Sequence, residues 1–236
     1  MMTGTLYLIP VPMGGDTLSN ILPADVIQTA RQLTHFVVEN AKTTRAHLKM
    51  FDTPHELRSL WMQELSEHTK DHEVSALLKP LLEGFDVGLM SEAGCPGVAD
   101  PGARLVQLAH QRGIKVAPLV GPSSLLLALM GSGANGQKFR FNGYLPSDTA
   151  GRLQALRQLE ASSAKENQAE IFIETPYRNL ALFQALRDGL KGSTRLTVAC
   201  DMTLPAQEIL TLEAAQWKKR AEPNINKRPT VFIIQA

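Results

Sequence analysis

Leu89-Met-Ser-Glu-Ala-Gly-Cys-Pro-Gly-Val-Ala-Asp-Pro-Gly102 decides how this chain is read. A short apolar run, Val87 to Met90, enters a loop with three glycines and two prolines. A helix-like segment, Ala103 to Gln111, leaves it. Run, loop and helix together make the strand–loop–helix unit of an α/β chain. A loop poor in large side chains lets a ligand touch backbone. Glycine permits close approach and positive φ, and proline holds the remaining geometry fixed. In alternating α/β chains such loops lie at the carboxyl ends of strands, where ligands bind. The segment reads as a small-molecule site.

The same alternation runs outward in both directions. Strands are expected at Thr5 to Ile9, His35 to Glu39, Phe85 to Met90 and Lys115 to Leu119. Helices are expected at Pro23 to Arg31, Ala41 to Phe51, Pro54 to Thr69, His72 to Leu82 and Leu125 to Met130. This half predicts an α/β sheet that is at least partly parallel. Gly131 to Gln137 is small, polar and glycine-rich, which marks a domain boundary. The expected domains are 1–133 and 134–236. Beyond the boundary, strands at Phe139 to Gly143, Glu170 to Glu174, Arg195 to Cys200, Gln207 to Leu212 and Thr230 to Gln235 interleave with helices at Asp148 to Ala164 and Arg178 to Leu190. That pattern predicts a mixed sheet.

Composition narrows the class. The 236 residues are 44% hydrophobic and 20% charged, with 24 basic and 23 acidic side chains and a net charge of +1. This supports a substantial core and does not advertise a strongly electrostatic nucleic-acid binder, although a local basic face can coexist with a neutral total. Two cysteines, Cys95 and Cys200, give no disulfide framework or metal cluster. No apolar run approaches the roughly 20 residues that span a bilayer. The first residues lack the basic and apolar regions of a signal peptide, so a cytoplasmic location is expected.

Six loops carry a likeness. They are Gly4-Thr-Leu-Tyr-Leu-Ile-Pro-Val-Pro-Met-Gly14, Glu39-Asn-Ala-Lys-Thr-Thr-Arg45, Ser91 to Gly102, Gly121-Pro-Ser-Ser124, Phe141-Asn-Gly-Tyr-Leu-Pro146 and Glu174-Thr-Pro-Tyr-Arg178. In this order they resemble the tetrapyrrole methylase family of S-adenosylmethionine-dependent methyltransferases. The nearest branch methylates a ribose 2′-hydroxyl in small-subunit ribosomal RNA. The resemblance implies two α/β domains with the cofactor cleft between them, and commonly a homodimer. The missing Gly-x-Gly-x-x-Gly after the first strand agrees with a fold other than the usual Rossmann methyltransferase.

The resemblance also assigns residues. Pro12, Met13, Gly14 and Gly15 form the first wall of the S-adenosylmethionine site, which after reaction holds S-adenosylhomocysteine. Ala93, Gly94, Cys95 and Val98 meet its amino-acid part and ribose, and Ser123 and Ser124 add polar contacts. Glu174, Thr175, Asp201, Met202 and Thr203 border the adenine, with Pro229 and Thr230 completing that side. Each glycine or proline, taken singly, also reads as a plain turn. The cofactor carries its own activated methyl group, so the protein supplies binding and alignment.

A hydroxyl acceptor needs a group to draw off its proton. Glu92, Glu39 and Asp100 are the candidates, with Glu92 leading because the nearest branch usually has an acid there. Asp100 alternatively reads as the cap of the helix beginning near Pro101. Lys42, Arg45 and Arg178 are candidates for holding a phosphate or other anion of the substrate. Cys95 reads as a small loop residue and not a nucleophile, since no histidine lies near it in sequence. His68 and His72 have helical i,i+4 spacing but no further ligand cluster, and no metal is expected. Trp61 and Trp217 read as packing residues.

The chain departs from the branch in places. Glu-Asp-Thr-Arg becomes Glu39-Asn-Ala-Lys42, and Tyr177 stands where histidine is usual. Three functions remain open. The first is methyl transfer to an RNA ribose hydroxyl or an unidentified acceptor. The second is transfer to a tetrapyrrole or other small metabolite. The third is a non-catalytic cofactor-binding regulatory protein, which the altered 40–42 segment would favour.

Overall fold

The computed structural model describes residues 3–15, 18 and 20–236. Two compact units divide the chain, Met1–Ser123 and Ser124–Ala236.

In the first unit five strands, β1 (Thr5–Leu8), β2 (His35–Val38), β3 (Trp61–Glu64), β4 (Val87–Met90) and β5 (Lys115–Pro118), form one parallel sheet in the order β3-β2-β4-β1-β5. Successive side chains of a strand face opposite ways, and both faces here are apolar. Phe36, Val38 and Met90 pack with Val26, Ala30, Leu48 and Phe51. Val37, Val87 and Leu89 pack with Leu6, Val74, Leu81, Leu105 and Ala109. Helices α1 (Ala24–Gln32) and α2 (Ala41–Met50), with the C-cap residue Phe51, supply the first set. Helices α3 (Asp71–Ala76), α4 (Lys79–Leu82) and α5 (Ala103–Gln111) supply the second, beside Leu6 of β1. Burial on both faces is why these strands read as continuous apolar runs.

Two expectations are corrected. Pro54 to Thr69 is not a helix: it carries the edge strand β3, paired with β2 from His35↔Trp61 to Val38↔Glu64. Trp-Met-Gln-Glu has no strand alternation, so only pairing to its neighbour decides its state. Consequently His68 lies in a turn ahead of α3, and its helical spacing to His72 does not exist. The expected helix from His72 to Leu82 is two short helices. Pro80 has no N–H to donate to the preceding turn, so the segment breaks after α3 and restarts with Pro80 in the first turn of α4, where the missing donor costs nothing.

The second unit begins with α6 (Ser124–Ser132). It continues through β6 (Phe139–Tyr144), α7 (Thr149–Glu166), β7 (Ala169–Ile173), α8 (Asn179–Gly189), β8 (Arg195–Cys200), β9 (Glu208–Glu213), α9 (Ala214–Trp217) and β10 (Thr230–Gln235). Its sheet runs β6-β7-β10-β8-β9. Only β6 and β7 are parallel, so the sheet is mixed, as the sequence predicts. The division falls ahead of α6 because that helix packs on this sheet. Thr211 Oγ1 donates to Ser132 O at 2.9 Å, and a Cβ on Gly131 would lie 2.5 Å from Ile209 Cδ1. Asp148 caps α7 through Gly151 N–H, and Asn167 ends it in the left-handed conformation. Trp217 is buried edge-on against Phe183, and Trp61 packs at the margin of the first core, so both are packing residues.

Candidate active site

The order β3-β2-β4-β1-β5 sets β1 and β4 side by side, yet the chain leaves them in opposite directions. From β1 it runs through α1 to β2, and from β4 through α5 to β5. Such a switch point at the carboxyl ends of parallel strands is where α/β sheets bind ligands. Here the two loops are tied together. Val11 N–H donates to Gly94 O at 2.9 Å, and Gly94 N–H returns the bond to Val11 O at 3.1 Å. The loop after β5 closes on the same spot. Cys95 Sγ donates to Pro122 O at 3.2 Å. A Cβ built on Gly94 would stand 3.6 Å from Pro122 O and 3.8 Å from the Met13 side chain. Gly94 itself has φ +71, a region that favours glycine. Gly121 allows the closure, since a Cβ there would fall 2.2 Å from the Pro10 ring.

Three loops thus converge on main chain. Gly14, Gly15, Ala93 and Val98 are exposed on them, Pro12 is buried, and Met13, Cys95, Ser123 and Ser124 are half-buried. Ala99 is held at φ 65, a strained conformation for a residue with a Cβ. Burial, reinforced by Asp100, pushes the Cys95 thiol up, so it stays protonated and suits a loop residue better than a nucleophile.

The three carboxyl candidates lie together beside this face. Glu92 is held at its N–H, its carbonyl and one carboxylate oxygen by the segment after β2. Its N–H donates to Glu39 Oε2 at 2.9 Å, its Oε1 accepts from Thr43 Oγ1 at 3.0 Å, and its carbonyl accepts from His47 Nε2 at 3.1 Å. A carbonyl only accepts, so the His47 proton sits on Nε2. Burial holds the His47 pKa down, and its Nδ1 is buried without a partner. Sequence reading missed Thr43 and His47. Their i,i+4 spacing on a predicted helix showed a shared face but not what that face met.

Asp100 does not cap α5. The N-cap is Gly102, with no side-chain cap bond. A carboxylate drawn instead toward Glu39 and Glu92 is costly to ionise. Burial first, then Glu39 and Glu92, push its carboxyl up to about 6 against an opposing hydrogen bond from Ser91. Asn40 explains one departure from the family pattern. Its side chain accepts from Lys42 N–H at 2.9 Å and Thr43 N–H at 3.1 Å, capping α2. Asparagine and aspartate serve equally well at that position, so the change leaves the helix and its grip on Glu92 intact.

In the second unit the expected adenine-side residues cluster at strand ends. Glu174, after β7, is buried. Its Oε1 accepts from Thr175 N–H at 2.6 Å and Arg178 at 2.8 Å, while Oε2 has no partner. Arg178 is thereby paired, with about half its side chain exposed. After β8, Asp201 and Thr203 both adopt positive φ, 51 and 72. For a β-branched threonine that is a strained state of the kind found at ligand sites. Thr203 Oγ1 is likewise buried without a partner. Met202 is buried, Pro229 is exposed, and buried Thr230 donates to Arg228 O. Arg228, which sequence reading missed, ties the cluster. It donates to Asp201 Oδ2 at 2.8 Å and Ala206 O at 2.9 Å, and its carbonyl accepts from Asn179. Only its place just before Pro229 and β10 hinted at this.

Among the described residues, no helix is long and apolar enough to cross a membrane, and no group of three His, Cys, Asp or Glu side chains is placed to hold a metal ion.

No family model matches the chain. Curated relatives do. It is 31% identical over 221 residues to "Ribosomal RNA small subunit methyltransferase I" of Pseudomonas aeruginosa, covering 92% of this chain and 72% of that protein. The protein of the same name from Halalkalibacterium halodurans is 33% identical over 223 residues, with the same coverage. Among solved structures, that of the methyltransferase CobJ matches with a TM-score of 0.63 at 19% identity, across 100% of this chain and 94% of the other. The fold is that of the tetrapyrrole methylases.

Proposed function

The chain belongs to the ribosomal RNA small subunit methyltransferase I family, and from that premise we propose that it methylates a ribose 2′-hydroxyl of small-subunit ribosomal RNA, with S-adenosylmethionine as donor. The observation that carries this reading is the convergence of three bare-backbone loops at the switch point, with Glu92 and Asp100 of the loop after β4 clustered with Glu39 after β2. The donor supplies a methyl group already activated on a sulfonium. The residues present suit it. Gly14, Gly15 and Ala93 are exposed on the loops tied at Gly94, so the main chain there is accessible to a ligand. In the second unit, Glu174 Oε2 and Thr203 Oγ1 are buried atoms without a hydrogen-bond partner.

The chain's own contribution is then orientation and proton removal. Asp100, with its carboxyl at about 6, is ionised at neutral pH yet basic enough to accept the proton of the acceptor hydroxyl. Glu39 and Glu92 raise that basicity, and Glu92 is itself immobilised by Glu39, Thr43 and His47. This assigns the base role to Asp100 in preference to Glu92. The intact cap at Asn40 removes the main support for an inactive regulatory protein. The expected homodimer belongs to the same proposal.

The test is incubation of the purified protein with tritiated-methyl S-adenosylmethionine and fractionated bacterial extract. Label in small-subunit RNA is the expected result. Label confined to protein or small molecules overturns the acceptor.

A further inference from the structure

Helix α2 has three distinct faces. At about 100° per residue, Thr44 and Leu48 share the buried face. Thr43 and His47 share a second, which holds Glu92. Lys42, Arg45 and Lys49 fall within about 60° of one another on the third, and all three are exposed. Among the described residues none of the three makes an ion pair, although Arg31, Lys79, Arg104 and other basic side chains do. A chain of net charge +1 therefore sets three unneutralised cations in a row along one helix. From Lys42 to Lys49 the row covers about 10 Å of helix axis, the rise of about three nucleotides of a helical strand.

We propose that the exposed face of α2 is a docking track for the RNA sugar–phosphate backbone, with Lys42, Arg45 and Lys49 each meeting a phosphate. The inference rests on the RNA reading above and adds where the strand lies. Charge complementarity selects the occupant, since an unpaired cationic row suits a polyanion and not an apolar surface. The same helix explains why this place is useful. A backbone fixed on one face of α2 is held in register with Glu92, which the adjacent face grips, and so with the Asp100 carboxyl. Such contacts position a strand without reading its sequence.

The experiment measures binding of small-subunit ribosomal RNA over a series of salt concentrations, together with steady-state methylation. It compares the whole protein with the triple variant Lys42→Gln, Arg45→Gln, Lys49→Gln. A control removes the same charge from the second unit through Lys218→Gln, Lys219→Gln, Arg220→Gln. Each phosphate contact contributes about 0.7 to the slope of log affinity against log salt on a single strand, so the α2 variant loses about 2 from that slope. Its KM for RNA rises while kcat at saturating RNA and S-adenosylmethionine affinity hold, and the control keeps the wild-type slope. An α2 variant with wild-type slope and KM overturns the track. A control that loses as much slope also overturns it, because the attraction would then belong to charge in general. If the unaltered protein neither binds nor methylates the RNA, the proposed acceptor falls, and the track falls with it.

Discussion

Asp100 and Glu39 show at the scale of single residues how the site is tuned. An aspartate just ahead of a helix is a favoured cap, yet here Gly102 takes that position and Asp100, two residues before it, faces two other carboxylates. The sign of the pH dependence follows. Asp100 accepts a proton only when ionised, so kcat falls about tenfold for each pH unit below about 6 and levels above it. Asp100→Asn abolishes that limb and lowers kcat by about 10²–10⁴-fold while S-adenosylmethionine affinity holds. Glu39→Gln keeps an oxygen to accept from Glu92 N–H but removes a charge that raises Asp100, so the limb moves to lower pH. A kcat–pH profile of the three proteins checks this. A limb unchanged in Asp100→Asn returns the search to Glu92. None of this tuning is legible in the sequence, because Glu39 and Asp100 lie far apart along the chain and only the sheet brings them together.

At the scale of elements, α2 joins the site to the fold. Its buried face anchors it, and Thr43 and His47 reach across to a loop some fifty residues on. Thr43→Val keeps the shape but leaves Glu92 Oε1 without its donor. A hydrogen bond to a charged, partly solvated group is worth about 1 kcal/mol, so kcat drops about five- to tenfold with KM unchanged, and Thr43→Ser restores it. Equal kcat in the valine and serine variants would show that the bond has no part in catalysis. Elements with strong apolar runs, such as Val87–Met90 and Thr230–Gln235, were readable because burial on both faces leaves a continuous signal. The edge strand Trp61–Glu64 was not, since half of it faces solvent and its neighbour alone fixes its state. The four-residue helix α9 is too short to show a period.

For the whole molecule, the 91–102 loop, read from its glycines and prolines, does follow the carboxyl end of β4, whereas the segments after β1, β2, β5, β7 and β8 were reached through the family resemblance. The ties among those loops were hidden. Val11 with Gly94, Cys95 with Pro122, and Arg228 with Asp201 each link distant parts of one unit. The proposed reaction leaves a methyl group on a ribose oxygen, and that has a direct chemical signature. A 2′-hydroxyl attacks its neighbouring phosphate in alkali, and a 2′-O-methyl group cannot. Small-subunit ribosomal RNA labelled by this protein from tritiated-methyl S-adenosylmethionine should therefore release its label in alkali-resistant dinucleotides. Label recovered instead in single nucleotides, on a base, would contradict the hydroxyl chemistry assigned to Asp100 and the acceptor with it.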